Sequence, residues 1–259
     1  MINSYIADTV LMVRPIAFGF NEQAAETNAF QSKIDQLEEV QIQQIAELEF
    51  DAFVNKLRIN GIQVIVFNDN KHQHTPDSIF PNNWFSTCPH TKSLFTYPMK
   101  NSNRTAERRE DILAKLEQVT GYQLNNELLI WENKNMALEG TGSLVLDHQN
   151  KIAYAALSPR TELEIINQWC ERTGFKLCAF YAYGPANEHI YHTNVVMTMA
   201  DDYALIALDT IRDNEERLKV IEHIESAANK KLIDISISQM NQYAGNMLQL
   251  QKYSSRGKF

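Results

Sequence analysis

The sequence predicts an α/β fold in which one module is repeated and its copies are arranged in a ring. Three observations carry that expectation. First, four segments show amphipathic helical periodicity: about Ile42 to Asn60, Arg104 to Thr120, Thr161 to Thr173 and Asn214 to Asn229. In the first of them Ile45, Leu48, Phe53 and Leu57 recur at near-helical spacing. Second, three of these segments end at a glycine, Gly61, Gly121 and Gly174, and the fourth ends at NKK. Glycine suits a left-handed helix stop because it has no Cβ to clash there. Third, a polar motif follows each stop at a nearly constant distance. Asp77 lies 16 residues past Gly61, Glu139 18 past Gly121, His192 18 past Gly174 and Asn246 17 past Asn229.

Strand-like runs follow the stops: IQVIVF, YQLNNELLI, FKLCAFYA and LIDISIS. Further β-like runs, SLVLD, VVMTM and MLQL, come after the polar motifs. The module is therefore helix, stop, strand, polar loop, strand, with a period of roughly 50–60 residues. Because each motif sits at a loop rather than along a face, an open solenoid is a poor fit. In a ring the equivalent loops converge on the axis. Asp77, Glu139 and His192 are then expected around one central cavity, and two acids with a histidine in a cavity form an enzyme-like arrangement.

The 259 residues suffice for one large domain or two small ones. A 44% apolar, 22% charged composition is that of a globular chain with a sizeable core. A net charge of −8 argues against general binding to nucleic acid or an anionic membrane. Three cysteines without a CxxC pair argue against a disulfide framework and fit a reducing compartment. The N-terminus has neither a basic nor an apolar leader segment, and no run of about 18 apolar residues exists. The expected location is the cytoplasm. No GxGxxG or GxxxxGK string supports a nucleotide, and no cofactor is expected.

Six strings carry a resemblance to a known family. They are Val10 to Gln31 (VLMVRPIAFGFNEQAAETNAFQ), Pro76 to Thr87 (PDSIFPNNWFST), Leu138 to Asp147 (LEGTGSLVLD), Ala156 to Thr161 (ALSPRT), Tyr191 to Met197 (YHTNVVM) and Gly245 to Leu250 (GNMLQL). Together they resemble the amidinotransferase and arginine deiminase branch of the pentein superfamily, which modifies guanidino and ureido groups. Citrulline-hydrolase-like proteins are among its members. The resemblance implies a pseudo-fivefold α/β propeller of ββαβ modules around a central site, with an amino-acid substrate, no cofactor and no metal.

The resemblance also implies residue roles. Asp77 matches an acid that binds guanidinium or ureido nitrogens. Glu139 matches the acid that pairs with substrate nitrogen and orients the histidine, and His192 matches the general acid/base. Arg160 matches an arginine that binds the substrate α-carboxylate. Arg108 resembles a second such arginine, with Arg104 and Arg109 competing for the assignment. Asn83 and Asn194 stand where several relatives carry acids. Two amides in place of acids lower the negative charge and favour a neutral ureido group, such as citrulline's, over a guanidinium.

The chemistry explains these residue types. A guanidinium or ureide carbon is a poor electrophile because resonance spreads its charge. Carboxylates fix the planar group by paired hydrogen bonds. A thiolate attacks, and a histidine protonates the leaving amine and activates water. Arginine recognises a carboxylate bidentately. The family's nucleophilic cysteine lies near its C-terminus, in a Gly-rich string resembling GGGSxRC. Here QKYSSRGKF closes the chain shortly after GNMLQL, and none of Cys88, Cys170 and Cys178 sits in such a context. The expectation is one domain over residues 1–259, four modules plus a partial fifth, inactive by itself though able to bind ligand weakly. Strand edges exposed by an incomplete ring predict poor solubility or dimerisation unless Val10 to Arg14 covers them.

Other polar features read as structure. His72 and His74 in KHQHTPD are expected in a solvated loop. His189 and His192 point to opposite faces if HIYH is a strand. Trp84 and Phe85 are expected in the core, as are Cys170 in a helix and Cys178 in a strand. The acidic stretch Glu47 to Asp51 is expected as a solvated helix face.

Overall fold

The structure, a computed structural model, describes residues 5–25, 28, 30, 31, 33, 36–70 and 72–253. It is a mixed α/β fold, with four small sheets among the described residues. Packing divides the chain into two compact units. One comprises Met1–Pro81, Asn101–Ile112 and Gln249–Phe259; the other comprises Asn82–Lys100 and Leu113–Leu248. Parts of the Val10 to Gln31 string and the terminal residues 254–259 lie outside the described residues.

In the first unit β1 (Thr9–Arg14) pairs in parallel with β2 (Gln63–Asn68). A parallel pair needs a crossover, and the helix Glu39–Ile59 supplies it. The helix terminates on Gly61, whose φ of +83° is the left-handed stop read from the sequence. Past the second unit the chain returns beside the segment before β1. There Gln251 N donates to Ala7 O at 3.0 Å and Tyr253 N to Gly61 O at 2.7 Å. Among the described residues the β pairing of the MLQL run is the single parallel bridge of Leu250 to Ala7.

The other three sheets share one pattern, an antiparallel pair followed through a helix by a parallel third strand. They are β3 (Phe85–Cys88), β4 (Ser93–Thr96) and β5 (Gln123–Asn125); β6 (Val145–Asp147), β7 (Ile152–Ala156) and β8 (Lys176–Phe180); and β9 (Met197–Met199), β10 (Tyr203–Ile206) and β11 (Lys231–Asp234). The crossover helices are Glu110–Thr120, Leu163–Thr173 and Asn214–Glu222. Gly121 at φ +68° and Gly174 at +74° end the first two, and Asn229 at +52° takes the left-handed position after the third. The repeat read from the sequence is thus a ββαβ repeat in hydrogen-bonding terms.

Several expectations need correction. The helix expected from Arg104 to Thr120 is two pieces, Ser102–Thr105 and Glu110–Thr120. It breaks where Arg104 turns inward to pair with buried Glu107 (Nε to Oε1 2.6 Å) and to donate to Phe80 O. YQLNNELLI is strand only to Asn125, then a 3₁₀ helix Glu127–Lys134. Asn125 Oδ1 accepts from Glu127 N and diverts the backbone, as short amide side chains do. VVMTM begins with a helical turn, Thr193–Val196, before β9. The acidic stretch Glu47 to Asp51 is not merely solvated. Arg14 on β1 bonds Asp51 at 2.8 and 2.9 Å and Glu47 at 2.9 Å, tying the helix to the sheet.

The second unit packs its sheets and helices on Phe95, Tyr97, Leu144, Ile165, Trp169 and Phe175, with Cys88 inside the same cluster. Trp84 and Phe85 are buried, as are Cys178 on β8 and most of Cys170 in its helix, all as expected. Among the described residues no helix is long and apolar enough to cross a membrane.

At one edge of this core the turns β3–β4 and β6–β7 meet on Phe175. His90 and His148 stack at 5.7 Å, each ring edge-on to Phe175 at 5.5 Å, and His90 Nε2 donates to His148 O. Burial, aided by the nearby His90, pushes His148 down to about 4. Its folded pKa lies below the unfolded value, so the unfolded chain holds more protons between the two. This stabilisation is complete above about pH 6.5 and is lost as pH falls towards 4; it amounts to at most about 3 kcal/mol. The stability difference between the wild type and His148→Gln, from urea unfolding, is expected to shrink by about 2 kcal/mol between pH 7 and pH 4.5. A pH-independent difference would refute the assignment.

Candidate active site

Glu139 and His192, separated by 53 residues in the chain, are brought together in the second unit. Glu139 caps the short turn Gly140–Ser143 ahead of β6, and His192 caps the turn Thr193–Val196 ahead of β9. Two equivalent turns of successive repeats therefore present the pair. His192 Nε2 lies 2.7 Å from Glu139 Oε2, and the two residues are 5% and 0% exposed. With the carboxylate accepting, His192 donates from Nε2; a neutral ring would then carry its lone pair on Nδ1, and a protonated ring would have a proton there to give.

Glu139 is held on every side. Lys100 N donates to its Oε1 at 3.1 Å, while its own N–H meets Arg160 O and Ser143 Oγ. Ser143 Oγ donates in turn to Arg160 O at 2.7 Å. The guanidinium of Arg160, 1% exposed, approaches Glu139 Oε2 at 3.5 Å. One carboxylate oxygen thus faces both a histidine and an arginine. Thr193 Oγ1 donates to Ser143 O and accepts from Ala156 N, locking the two turns to β7.

Asn83, 4% exposed at the end of the turn before β3, also belongs here. Gly142 packs against it and the histidine: a Cβ at that position would lie 2.4 Å from Asn83 Nδ2 and 2.8 Å from His192 Nδ1. Asn194 is half-buried in the turn following His192.

The remaining assignments fall in the first unit. Asp77, 9% exposed, accepts from Asn21 Nδ2 at 2.6 Å and has Arg104 Nη1 at 3.9 Å. Asn103 Nδ2 donates to Asn21 Oδ1 at 2.7 Å, so two buried amides relay to the acid. Of the three competing arginines, Arg104 is buried in its pair with Glu107, and Arg109 pairs with Asp111 and lies over Phe67. Arg108 is half-buried beside an open polar depression of about 500 Å³ lined also by Asp69, Asn70, Gln73 and Glu110. His72 and His74 are exposed in their loop, as expected, and Asn246 is exposed in a turn.

Sequence reasoning did not single out Asn21, Gly142, Ser143 or Tyr191. All four lie inside strings noted for resemblance, but none has a side chain whose chemistry announces a role. Their contribution is contact geometry, which spacing does not reveal.

Neither Cys170 nor Cys178 is an accessible thiolate, since burial pushes both thiols up to about 11. Cys88 is 1% exposed within the aromatic core.

Among solved structures, apo ArgZ, an arginine dihydrolase from the ornithine–ammonia cycle in Cyanobacteria, superposes with a TM-score of 0.71 at 16% identity. That match covers 93% of this chain and 33% of ArgZ, so the present chain spans about a third of that protein's length. The N-terminal domain of ArgZ, a cysteine-to-serine mutant bound to substrate, matches with a TM-score of 0.69 at 15% identity, over 92% of this chain and 79% of that one. DDAH from Pseudomonas aeruginosa, a cysteine-to-serine mutant complexed with citrulline, matches with a TM-score of 0.63 at 13% identity, over 95% and 82%. These likenesses show the fold. No curated protein matches the chain. A family model described as N,N dimethylarginine dimethylhydrolase, eukaryotic, matches residues 14–257, and so the chain belongs to that family, within the pentein superfamily of guanidino-modifying proteins.

Proposed function

We propose that this chain carries the binding and proton-transfer site of a hydrolase that cleaves a C–N bond of an arginine- or citrulline-like amino acid. The observation that carries this reading is the buried Glu139–His192 contact at 2.7 Å, presented by equivalent turns of two repeats. His192 serves as general acid/base, protonating the leaving amine and then activating water. Glu139 orients it and pairs with substrate nitrogen. Within the second unit Arg160 takes an α-carboxylate; within the first, Asp77 is a candidate for a substrate nitrogen and Arg108 for a carboxylate. Asn83 and Asn194 contribute neutral hydrogen bonds. With amides at these positions and Glu139 already facing Arg160, a neutral ureido group is favoured over a guanidinium. The same residues would serve amidino transfer, in which an amine replaces water in the second step, or ligand binding without chemistry.

The covalent step needs a thiolate, which none of the three thiols supplies. The 259-residue chain is therefore expected to bind citrulline more tightly than arginine and to turn over neither. Calorimetric titration with each ligand, together with an ammonia assay, tests this. Arg160→Ala should weaken citrulline by at least ten-fold, since a buried arginine–carboxylate contact contributes well over 1 kcal/mol. Turnover abolished by Cys88→Ser would overturn the reading of that thiol. Failure of both ligands to bind would sink the functional proposal.

A further inference from the structure

The helix Glu39–Ile59 carries apolar residues on two sides. One side lies on the β1–β2 sheet, with Val54 buried and Phe50 and Leu57 half-buried. Ile45, Leu48 and Ile59 turn the other way, 43%, 71% and 85% exposed, with exposed Ala52 between them. At about 100° per residue these four fall within about 60° of one another, on the side opposite Phe50 and Leu57. They follow one another at spacings of three, four and seven residues, the period of a helix that packs along a second helix. A single exposed apolar side chain is ordinary. A line of them over about 21 Å of one helix, where a solvated face carries polar residues, is not. Val40 and Phe53 are exposed too but lie off this line.

The flanks of the line decide what fits it. Glu49 and Lys56, both exposed, stand on the same flank, one turn-pair apart. When a second copy of the helix lies antiparallel, with the two-fold axis at Ala52, Ile45 meets Ile59 of the partner subunit and Ala52 meets its own equivalent. The small alanine lets the two helices approach closely. Glu49 then faces Lys56 of the partner subunit, and the symmetry makes this pair twice. Asp51 falls near its own equivalent, but each Asp51 is bonded to Arg14 of its own chain at 2.8 and 2.9 Å, so bare like charges do not meet. A parallel pair would leave Glu49 beside Gln44, put Lys56 against an Asp51 already held by Arg14, and align the two helix dipoles unfavourably.

We propose that the outer face of the helix Glu39–Ile59 is a homodimer interface, on which two copies of this chain pair antiparallel across Ala52. The inference does not depend on the site at Glu139 and His192. One helix per copy is less than a standard interface, so the dimer is expected to dissociate with a Kd on the order of 10 µM.

Sedimentation velocity of the 259-residue chain, from about 1 to about 200 µM, tests this. The wild type is expected to pass from monomer to dimer across that range. Leu48→Gln is expected to raise the dimer Kd at least about ten-fold, by removing an apolar anchor that occurs twice. Circular dichroism and the Tm of the dilute monomer should not change, because this side chain is exposed in the monomer. Ile59→Gln, at the most exposed position of the line, gives the same reading should Leu48→Gln disturb the helix. Glu49→Lys sets lysine against lysine in both pairs and is expected to weaken the dimer about ten-fold. Combining it with Lys56→Glu restores opposite charges and should return the Kd to within about three-fold of the wild type. A wild type that stays monomeric at the highest concentration would overturn the proposal. So would a dimer indifferent to both Leu48→Gln and Ile59→Gln, which would be using another surface. A combined charge exchange no tighter than Glu49→Lys alone would overturn the antiparallel arrangement.

Discussion

Replacing Glu139 with alanine is expected to destabilise the chain by about 3–5 kcal/mol, the cost of stranding buried charge when one partner of a buried pair is removed. Glu139 is fully buried, and its Oε2 faces both His192 at 2.7 Å and Arg160 at 3.5 Å. Alanine removes the acceptor of both and of Lys100 N. Arg160, 1% exposed, cannot reach water without opening the turn that carries it. Glu139→Gln separates charge from shape. It fills the same volume and still accepts from Lys100 N, but it presents an amide N–H towards His192. A neutral imidazole then accepts at Nε2, and Arg160 loses the charge of Glu139. The glutamine variant should cost roughly 2 kcal/mol and shift the ¹⁵N signals of His192 from the Nε2–H to the Nδ1–H pattern. Urea unfolding with an unchanged m value, alongside the NMR spectra, reads both effects. An alanine variant within about 1 kcal/mol of the wild type would mean that this pair is solvated rather than buried.

Much of this arrangement could be read before any coordinates. The repeat was legible because three of its stops are glycines at φ of +68° to +83°, a conformation that the residue type announces. The offset of the polar motifs was legible for a related reason. Equal path length through equivalent modules puts Glu139 and His192 on equivalent turns, and those turns meet. What stayed hidden is what depends on contact rather than period. The break between Thr105 and Glu110 comes from a buried Arg104–Glu107 pair, and a helical wheel scores both residues as surface. The short β5 and the 3₁₀ helix behind it come from one Asn125 side-chain bond, a local competition that hydrophobic periodicity does not register. In the site, Ser143 and Tyr191 act through a hydroxyl and a ring face on Arg160. The Asn21–Asp77 bond spans 56 residues, and no spacing rule connects them.

Gly140 is where sequence and site meet most tightly, and Gly140→Ala is expected to be among the most damaging single-methyl changes in the chain. Its φ is +48°, in the left-handed region, where an L-alanine costs about 1–2 kcal/mol. A Cβ there would also lie 2.2 Å from Asn82 O and 2.9 Å from Asn83 O, both backbone atoms that no rotamer change can clear. The turn before β3 or the turn carrying Glu139 must move, and forcing a methyl into packed surroundings costs about another 1–3 kcal/mol. The sum is about 2–5 kcal/mol, or roughly 10 °C in Tm at the middle of that range for a chain of this size. Gly121→Ala isolates the first term. Gly121 has a similar φ of +68° but nothing within 4 Å of its Cβ position, so only the backbone strain of about 1 kcal/mol applies. The difference between the two variants measures the clash alone. Because Asn83 packs on the adjacent Gly142 and the histidine, Gly140→Ala should also perturb the His192 resonances, while Gly121→Ala leaves them in place. Thermal unfolding and ¹H–¹⁵N spectra of both variants decide it, and equal Tm losses for the two would show that the turn before β3 yields freely to the methyl group.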